Sequence, residues 1–515
     1  MSLQRKLIKN CRASLLPDLK DPLFSSDHLK VGLKERAVKS AGITLAAQGI
    51  KLILHLGSVA ILARLLQPSD FGLVAMVTVF TGLALQFMEG GLSMATIQRD
   101  QITHAQVSNL FWVNGALGTA LCLLGILISP LVAMIYGEPR LTLVMAAMSL
   151  TFLIGGLSVQ HDALLRRQMR FKAISMIDIV SMAVGIAAGI TAALGGLGYW
   201  ALVISPIATF ATKTIMRWLS VRWIPSMMSR GSGVRPLLGF GANLTGANFI
   251  GHLATNITPF AVGYIGGSNA LGLYNRANTL TTIPSSQILP PVMNVMQSAL
   301  TRVKDEPDRL RRAALSLMTK IAMVTMLVTI TMYATADWLV SLFLGDGWDE
   351  AVEIFRILAI STIVTPITTF TAIIMVAVGE AKALMRWKAI TLSILVVAII
   401  LGSFWGVMGI VLAHCLSGIF IRMPAFLVYS SRYQPIKPGD FFVSLFPVFF
   451  SALVTLLIVM FLRDGFAFEN DLVSIFVFSL ISLAIYLPAL FFFKKTRLEI
   501  KDGFVLLKSF LPKIL

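Results

Sequence analysis

The chain has 515 residues, 56% of them hydrophobic and only 13% charged, with a mean hydropathy of +0.81. Soluble globular domains carry about 25% charged residues, so a soluble multidomain protein is excluded, and 32 Phe with 24 Met exclude a disordered one. The net charge of +18 would suit a nucleic-acid groove if Lys and Arg shared a folded polar face. They stand instead in short clusters between apolar runs, the pattern of a polytopic membrane protein that binds no nucleic acid.

Residues 1–37 hold no apolar core of signal-peptide length and read as an uncleaved cytosolic segment at the lipid surface. From residue 38 onward the runs are cut by turn signals: Gln67-Pro68-Ser69-Asp70, Gly137-Glu138-Pro139, Gly195-Gly196-Leu197-Gly198, Gly266-Gly267-Ser268-Asn269, Gly345-Asp346-Gly347 and Gly402-Ser403-Phe404-Trp405-Gly406. Spans of about 20 apolar residues between these cuts give an all-α protein of about fourteen transmembrane helices. Six lie in an N-lobe at 38–221, followed by a cytosolic linker at 222–236. Six more lie in a C-lobe at 237–430, two in 440–493, and a cytosolic tail occupies 494–515. The clearest spans are Phe441–Leu462 and Leu472–Phe493, which carry no formal charge.

With this count, 37 of the 43 Lys and Arg fall on one side of the membrane. That bias predicts that both termini are cytosolic. No outside loop exceeds about a dozen residues, too few for an extracellular domain.

The lobes repeat. Gly72-Leu73 returns as Gly272-Leu273, Leu131-Val132 with Gly137 as Leu339-Val340 with Gly345, and Gly195 with Gly198 as Gly406 with Gly409. Met169-Arg170-Phe171-Lys172-Ala173-Ile174 returns as Met385-Arg386-Trp387-Lys388-Ala389-Ile390. Six helices per repeat is an even number, so the two lobes share one orientation. They are expected to be related by a pseudo-twofold axis along the membrane normal, with a cavity between them.

Polar residues inside apolar spans should face protein or water. The first helix carries Thr44, Gln48, Lys51, His55 and Ser58, whose spacing of 4, 3, 4 and 3 puts them on one face. The seventh answers with Asn248, Thr255 and Thr258, beside Thr245, His252 and Asn256, and the eighth holds Gln287 among other polar residues. Lys51 lies about 18 Å into its helix and cannot easily reach the interface. Arg64 and Arg276 are further cations that the inside bias does not explain. Gln48, Lys51, His55, Arg64, Asn248, His252, Arg276 and Gln287 are therefore the candidate substrate-binding residues, although a lone His such as His252 also serves as a helix-packing donor. Glu89 is a candidate counter-ion to Lys51 or Arg64, or a site for a coupling ion. Asp178 is a second coupling candidate, or a partner for Arg170 or Lys172.

The three cysteines, Cys11, Cys122 and Cys415, stand far apart without metal or disulfide spacing. No nucleotide-binding loop, nucleophile elbow or metal-spaced cluster is present, so neither an enzyme nor a resident cofactor is expected.

Several segments are characteristic: "ARLLQPSDFGLVAM", "GGLSMATIQRD", "LLRRQMRFKAIS", and "GFGANLTGANFIGHLATN" with "ALGLYNRA". Together they resemble the polysaccharide-transporter branch of the multidrug/oligosaccharidyl-lipid/polysaccharide exporter superfamily, which includes O-antigen and colanic-acid flippases. The resemblance covers about residues 35–435. It implies two six-helix lobes around a central cavity in the bacterial cytoplasmic (inner) membrane. It also implies flipping of an undecaprenyl-pyrophosphate-linked oligosaccharide to the outer leaflet by alternating access, driven by a proton or sodium gradient and alongside other polysaccharide-assembly proteins. Arg276 in "YNRA" and Arg64 in "ARLL" carry over as lipid-phosphate contacts, while Glu89 departs from the aspartate expected there. A multidrug cation antiporter of the same fold is the alternative. A membrane polymerase or ligase would need a large outside loop, which is missing.

Overall fold

The computed structural model describes residues 23–24, 33–89, 93, 96–97, 99, 102–229, 235–303, 305–463, 465, 468 and 470–510. Among them there is no strand, and the chain folds into two compact units, Met1–Asn256 and Ile257–Leu515.

The first unit contains α1 (Leu33–Leu65), α2 (Pro68–Glu89), α3 (His104–Tyr136), α4 (Leu141–Gly156), α5 (Val159–Arg167), α6 (Phe171–Leu194), α7 (Trp200–Val221) and the start of α8 (Arg235–Arg302). The second continues α8 and adds α9 (Pro307–Ala334), α10 (Ala336–Leu344), α11 (Glu350–Ser361), α12 (Val364–Ala377), α13 (Ala381–Ser403) and α14 (Gly406–Leu416). A π-helix, Ser417–Arg422, leads to α15 (Met423–Ser430), α16 (Pro438–Arg463), α17 (Asp471–Phe492) and α18 (Lys494–Phe510).

All six turn signals fall at helix breaks. The backbone N–H of Gln67 donates to the Asp70 carboxylate at 3.1 Å, which holds the α1–α2 corner. Gly137 closes α3 in the left-handed region at φ 66°, and Gly267 at φ 72° breaks α8 into two arms. At the α3–α4 turn Arg140 forks onto both Glu138 oxygens, at 2.8 and 2.9 Å. That contact holds the Glu138 carboxyl below its usual range.

Ten described helices, or eleven counting the bent pair α4–α5, are long and apolar enough to cross a membrane. The α7 helix and the two arms of α8 occupy the positions of the sixth, seventh and eighth expected spans, which is compatible with fourteen. Their hydropathy is lowered by polar side chains such as Lys213, Arg217, Thr255 and Asn256. Large apolar side chains point outward along the spans, Met134 at 77% and Phe461 at 81% exposed, as expected of a multi-pass protein whose surroundings are hydrocarbon.

Small residues set the helix spacing within each unit, as is common in membranes. A Cβ on Gly118 would lie 2.6 Å from the Phe152 carbonyl, and one on Gly156 2.8 Å from that of Asn114, so α3 and α4 touch backbone to backbone. In the second unit Gly402 and Gly409 do the same for α13 and α14. The core of that unit is built from Met318, Met326, Phe370, Phe441 and Tyr486. Of the repeated pairs, Gly137 and Gly345 both close a helix at positive φ, but two other matches slip: Gly198 lies in the turn before α7, whereas Gly409 lies inside α14. Met169 precedes α6, whereas Met385 lies inside α13, so neither similarity is a structural equivalence.

Candidate functional site

The first unit gathers three charges from three apolar helices. Lys213 Nζ of α7 lies 2.8 Å from Asp178 Oδ1 of α6, and Lys51 Nζ of α1 lies 3.7 Å from Asp178 Oδ2. The glycines explain how they meet. Gly185 of α6 sits against Thr209 and the Ser205 carbonyl of α7, and Gly189 against Ser205 and the Ala201 carbonyl. Continuing this antiparallel register two turns along α6 brings Asp178 opposite Lys213. α1 packs on the same helix, with Lys51 on the face toward Asp178.

The depth of the cluster is consistent across its members. Asp178 is about 10 Å from the start of α6, Lys213 about 12 Å from the end of α7, and Lys51 about 14 Å into the span Gly42–Leu65. A charged side chain at the centre of a span costs roughly 3 kcal/mol on insertion scales, so paired charges at this depth need a reason. One carboxylate between two ammonium groups leaves a net charge of +1. Lys213 makes the tight contact, so Lys51 is the surplus cation, with its side chain 27% exposed.

One expectation is corrected here. Asp178 pairs with neither Arg170, which donates to the Ser220 carbonyl at 3.0 Å, nor Lys172. The carboxylate beside Lys51 is Asp178; the Glu89 side chain, at the end of α2, lies outside the described residues, as does that of Asn248. Lys213 lies within α7.

The other candidates are more dispersed. Gln48 and His55 are exposed on α1 along the Lys51 face. Arg64 is exposed and donates to the Ala60 carbonyl at 3.1 Å. His252 is a packing contact: its Nε2 lies 3.2 Å from the Val79 carbonyl of α2, in a space that a Cβ on Gly82 would fill. In the second unit Arg276 donates to its neighbour Asn275 at 3.0 Å, and Gln287 is half-buried.

Sequence reasoning passed over a second polar cluster, in the second unit. His414 Nδ1 lies 2.9 Å from Thr258 Oγ1, and Arg422 donates to the His414 carbonyl at 2.7 Å. The wider turn of the π-helix lets Arg422 fold back onto that carbonyl; such turns recur at functional sites. No local sequence signal announces a π-turn. Among the described residues no group of His, Cys, Asp and Glu could hold a metal.

Residues 61–353 match the family described as polysaccharide biosynthesis protein. The chain is 23% identical over 435 residues to the lipopolysaccharide biosynthesis protein WzxC of Escherichia coli K12, covering 83% of this chain and 88% of the relative. Its fold is similar to that of a lipid II flippase, MurJ, in an inward closed conformation. That match has a TM-score of 0.71 at 13% identity, covering 90% of this chain and all of the other. An inward-facing multidrug-resistance MATE transporter is less similar, at a TM-score of 0.53 and 16% identity, covering 76% of this chain and 94% of the other.

Proposed function

The chain belongs to the polysaccharide biosynthesis protein family, and on that premise we propose that it is a flippase for lipid-linked oligosaccharide. Its cargo is an oligosaccharide on undecaprenyl pyrophosphate, moved from the inner to the outer leaflet of a bacterial cytoplasmic membrane. The product serves lipopolysaccharide, capsule or exopolysaccharide assembly.

The observation that carries this reading is the charge surplus at Lys51, Asp178 and Lys213. A pyrophosphate entering an apolar bundle loses its hydration, and only fixed cations offset that loss. Lys51 receives it, a role supported by the neutralisation of Asp178 by Lys213. The polar face of α1, with Gln48 and His55, supplies hydrogen bonds to sugar hydroxyls. Arg64 and Arg276 take the phosphate at other stages of the passage. Both termini are cytosolic, and the lobes 38–221 and 237–430 rock to expose the cargo first inward and then outward.

Coupling to a proton or sodium gradient falls to Glu89 rather than Asp178, whose oxygens are committed to two lysines. Glu89→Gln should then lower export and abolish its response to collapse of the gradient; an unchanged response would reject this role.

The surplus positive charge at Lys51 and Lys213 would repel a cationic drug, which disfavours the antiporter reading. Expression in bacteria lacking an O-antigen or capsule flippase decides between the two. A restored polysaccharide ladder supports the flippase. No ladder, with the protein in the membrane and new resistance to cationic drugs, supports the antiporter.

A further inference from the structure

A second charged recess lies in the second unit, away from the helices considered above. It has a volume of about 450 Å³ and is formed by the first turns of α9 and α16 and the start of α18. That is within the range of about 300–1,000 Å³ typical of small-molecule sites. Its walls carry three cations, Arg311, Arg312 and Lys495, against two carboxylates, Asp308 and Asp440.

The charges are not equally available. Arg311 is locked in a two-pronged pair with Asp440, its Nε 2.8 Å from Oδ2 and its other prong on Oδ1. The nearby Glu499 is taken by Lys320 at 2.6 Å and by Ser316. Lys495 is left with a hydroxyl: its one hydrogen bond among the described residues goes to Ser444 Oγ at 2.6 Å. Arg312 is exposed and makes no ion pair among the described residues. Two cations thus face the recess with only the exposed Asp308 to offset them. Burial pushes the Lys495 ammonium below its usual range, against the pull of Glu499 and Asp440, as expected of a cation short of a counter-ion.

The apolar side of the recess is also informative. Val443 forms part of its wall and is 67% exposed, and Phe446 and Phe450 continue outward from it along the same face of α16. Phe446 and Phe450 stack on each other with centroids 6.0 Å apart. An anion in the recess would therefore sit at the head of an apolar strip.

We propose that this recess binds the phosphodiester headgroup of an anionic phospholipid, whose acyl chain lies along Val443, Phe446 and Phe450. A phosphodiester accepts from Lys495 and Arg312 together, and the glycerol fits between them and Ser444. Basic recesses between spanning helices at the level of lipid headgroups suit anionic lipids for this reason. The strip favours a lipid over a soluble phosphate.

The test uses the full chain, purified in detergent and offered equal amounts of phosphatidylglycerol and phosphatidylcholine with identical acyl chains. Lipid retained after gel filtration is counted by mass spectrometry. Wild type should retain phosphatidylglycerol in excess by about tenfold, and Arg312→Gln should cut that excess about fivefold. Arg312 is exposed, so this variant should fold. Arg312→Gln/Lys495→Gln should lose the preference, Lys495→Arg should keep most of it, and Arg309→Gln, outside the recess, should leave it intact. Equal retention of the two lipids by wild type would overturn the proposal, as would an unchanged excess in a monodisperse double variant. Displacement of phosphatidylglycerol by millimolar glycerol phosphate would also overturn it, because the site would then serve soluble anions.

Discussion

Lys213 Nζ lies 2.8 Å from one oxygen of Asp178, while Lys51 approaches the other only to 3.7 Å. The difference assigns them separate tasks: Lys213 neutralises the carboxylate, and Lys51 remains as cationic excess. Lys51→Ala should therefore leave insertion intact and thermal stability within about 1 kcal/mol of wild type, yet abolish polysaccharide export. Lys51→Arg, which keeps the charge, should retain part of it. Surface polysaccharide on a gel reads both.

Removing Lys213 has a different consequence. Lys213→Met leaves Asp178 with only the looser lysine, and should destabilise the protein by about 1–3 kcal/mol. Asp178→Asn leaves two ammonium groups without the carboxylate between them and should also destabilise. The double variant should recover much of the loss, because neither group is then stranded. Melting of the four proteins in detergent gives the coupling energy; strictly additive losses would mean the pair does not interact.

The register of α6 on α7 depends on Gly185. A Cβ there would lie 1.8 Å from Thr209 Oγ1 and 2.7 Å from the Ser205 carbonyl. Gly185→Leu should therefore cost about 1–3 kcal/mol or more through overpacking and separate Asp178 from Lys213. Thr209→Ala should not rescue it, because the Ser205 obstacle is backbone. Gly251→Ala, with nothing within 4 Å, is the matching control. Full export by Gly185→Leu would show that the close approach is dispensable.

Arg167 is 5% exposed and ties together three chain segments. It donates to the carbonyls of Thr96 at 3.1 Å, Phe24 at 3.0 Å and Arg99. Phe24 itself is buried among Ile102, Val107, Leu164 and Trp223. Arg167→Ala strands those carbonyls and should cost about 2–4 kcal/mol. Arg167→Lys should recover less than half, since one ammonium cannot reproduce the fork. Phe24→Ala should destabilise in the same range. Thermal unfolding in detergent measures all three.

The helix breaks were legible because each is set by local chemistry: a glycine free to take positive φ at 137, 198, 267, 345 and 406, or an Asp that caps the turn at 70. Lys51 was legible because a lone ammonium in an apolar run violates the cost of burial, and its helical spacing gave it a face. Its partners were not. Asp178 and Lys213 lie on different helices, and their meeting depends on the register that Gly185 and Gly189 set across the α6–α7 interface. Lys213 and Arg422 lie inside helices, where an ion pair and a π-turn that no local pattern announces hold them. His252 shows the opposite case: a polar residue on the expected stripe that spends its ring nitrogen on the backbone of α2.

The most direct test reconstitutes the purified chain into liposomes with a fluorescent oligosaccharide on undecaprenyl pyrophosphate. A sugar-binding lectin outside the vesicles reads how much cargo reaches the outer leaflet. Wild type should transfer cargo across the bilayer, Lys51→Ala should not, and Lys51→Arg should fall between them. Transfer by Lys51→Ala at the wild-type rate would contradict the claim that this lysine receives the pyrophosphate. No transfer by an active, correctly inserted wild type would contradict the flippase itself.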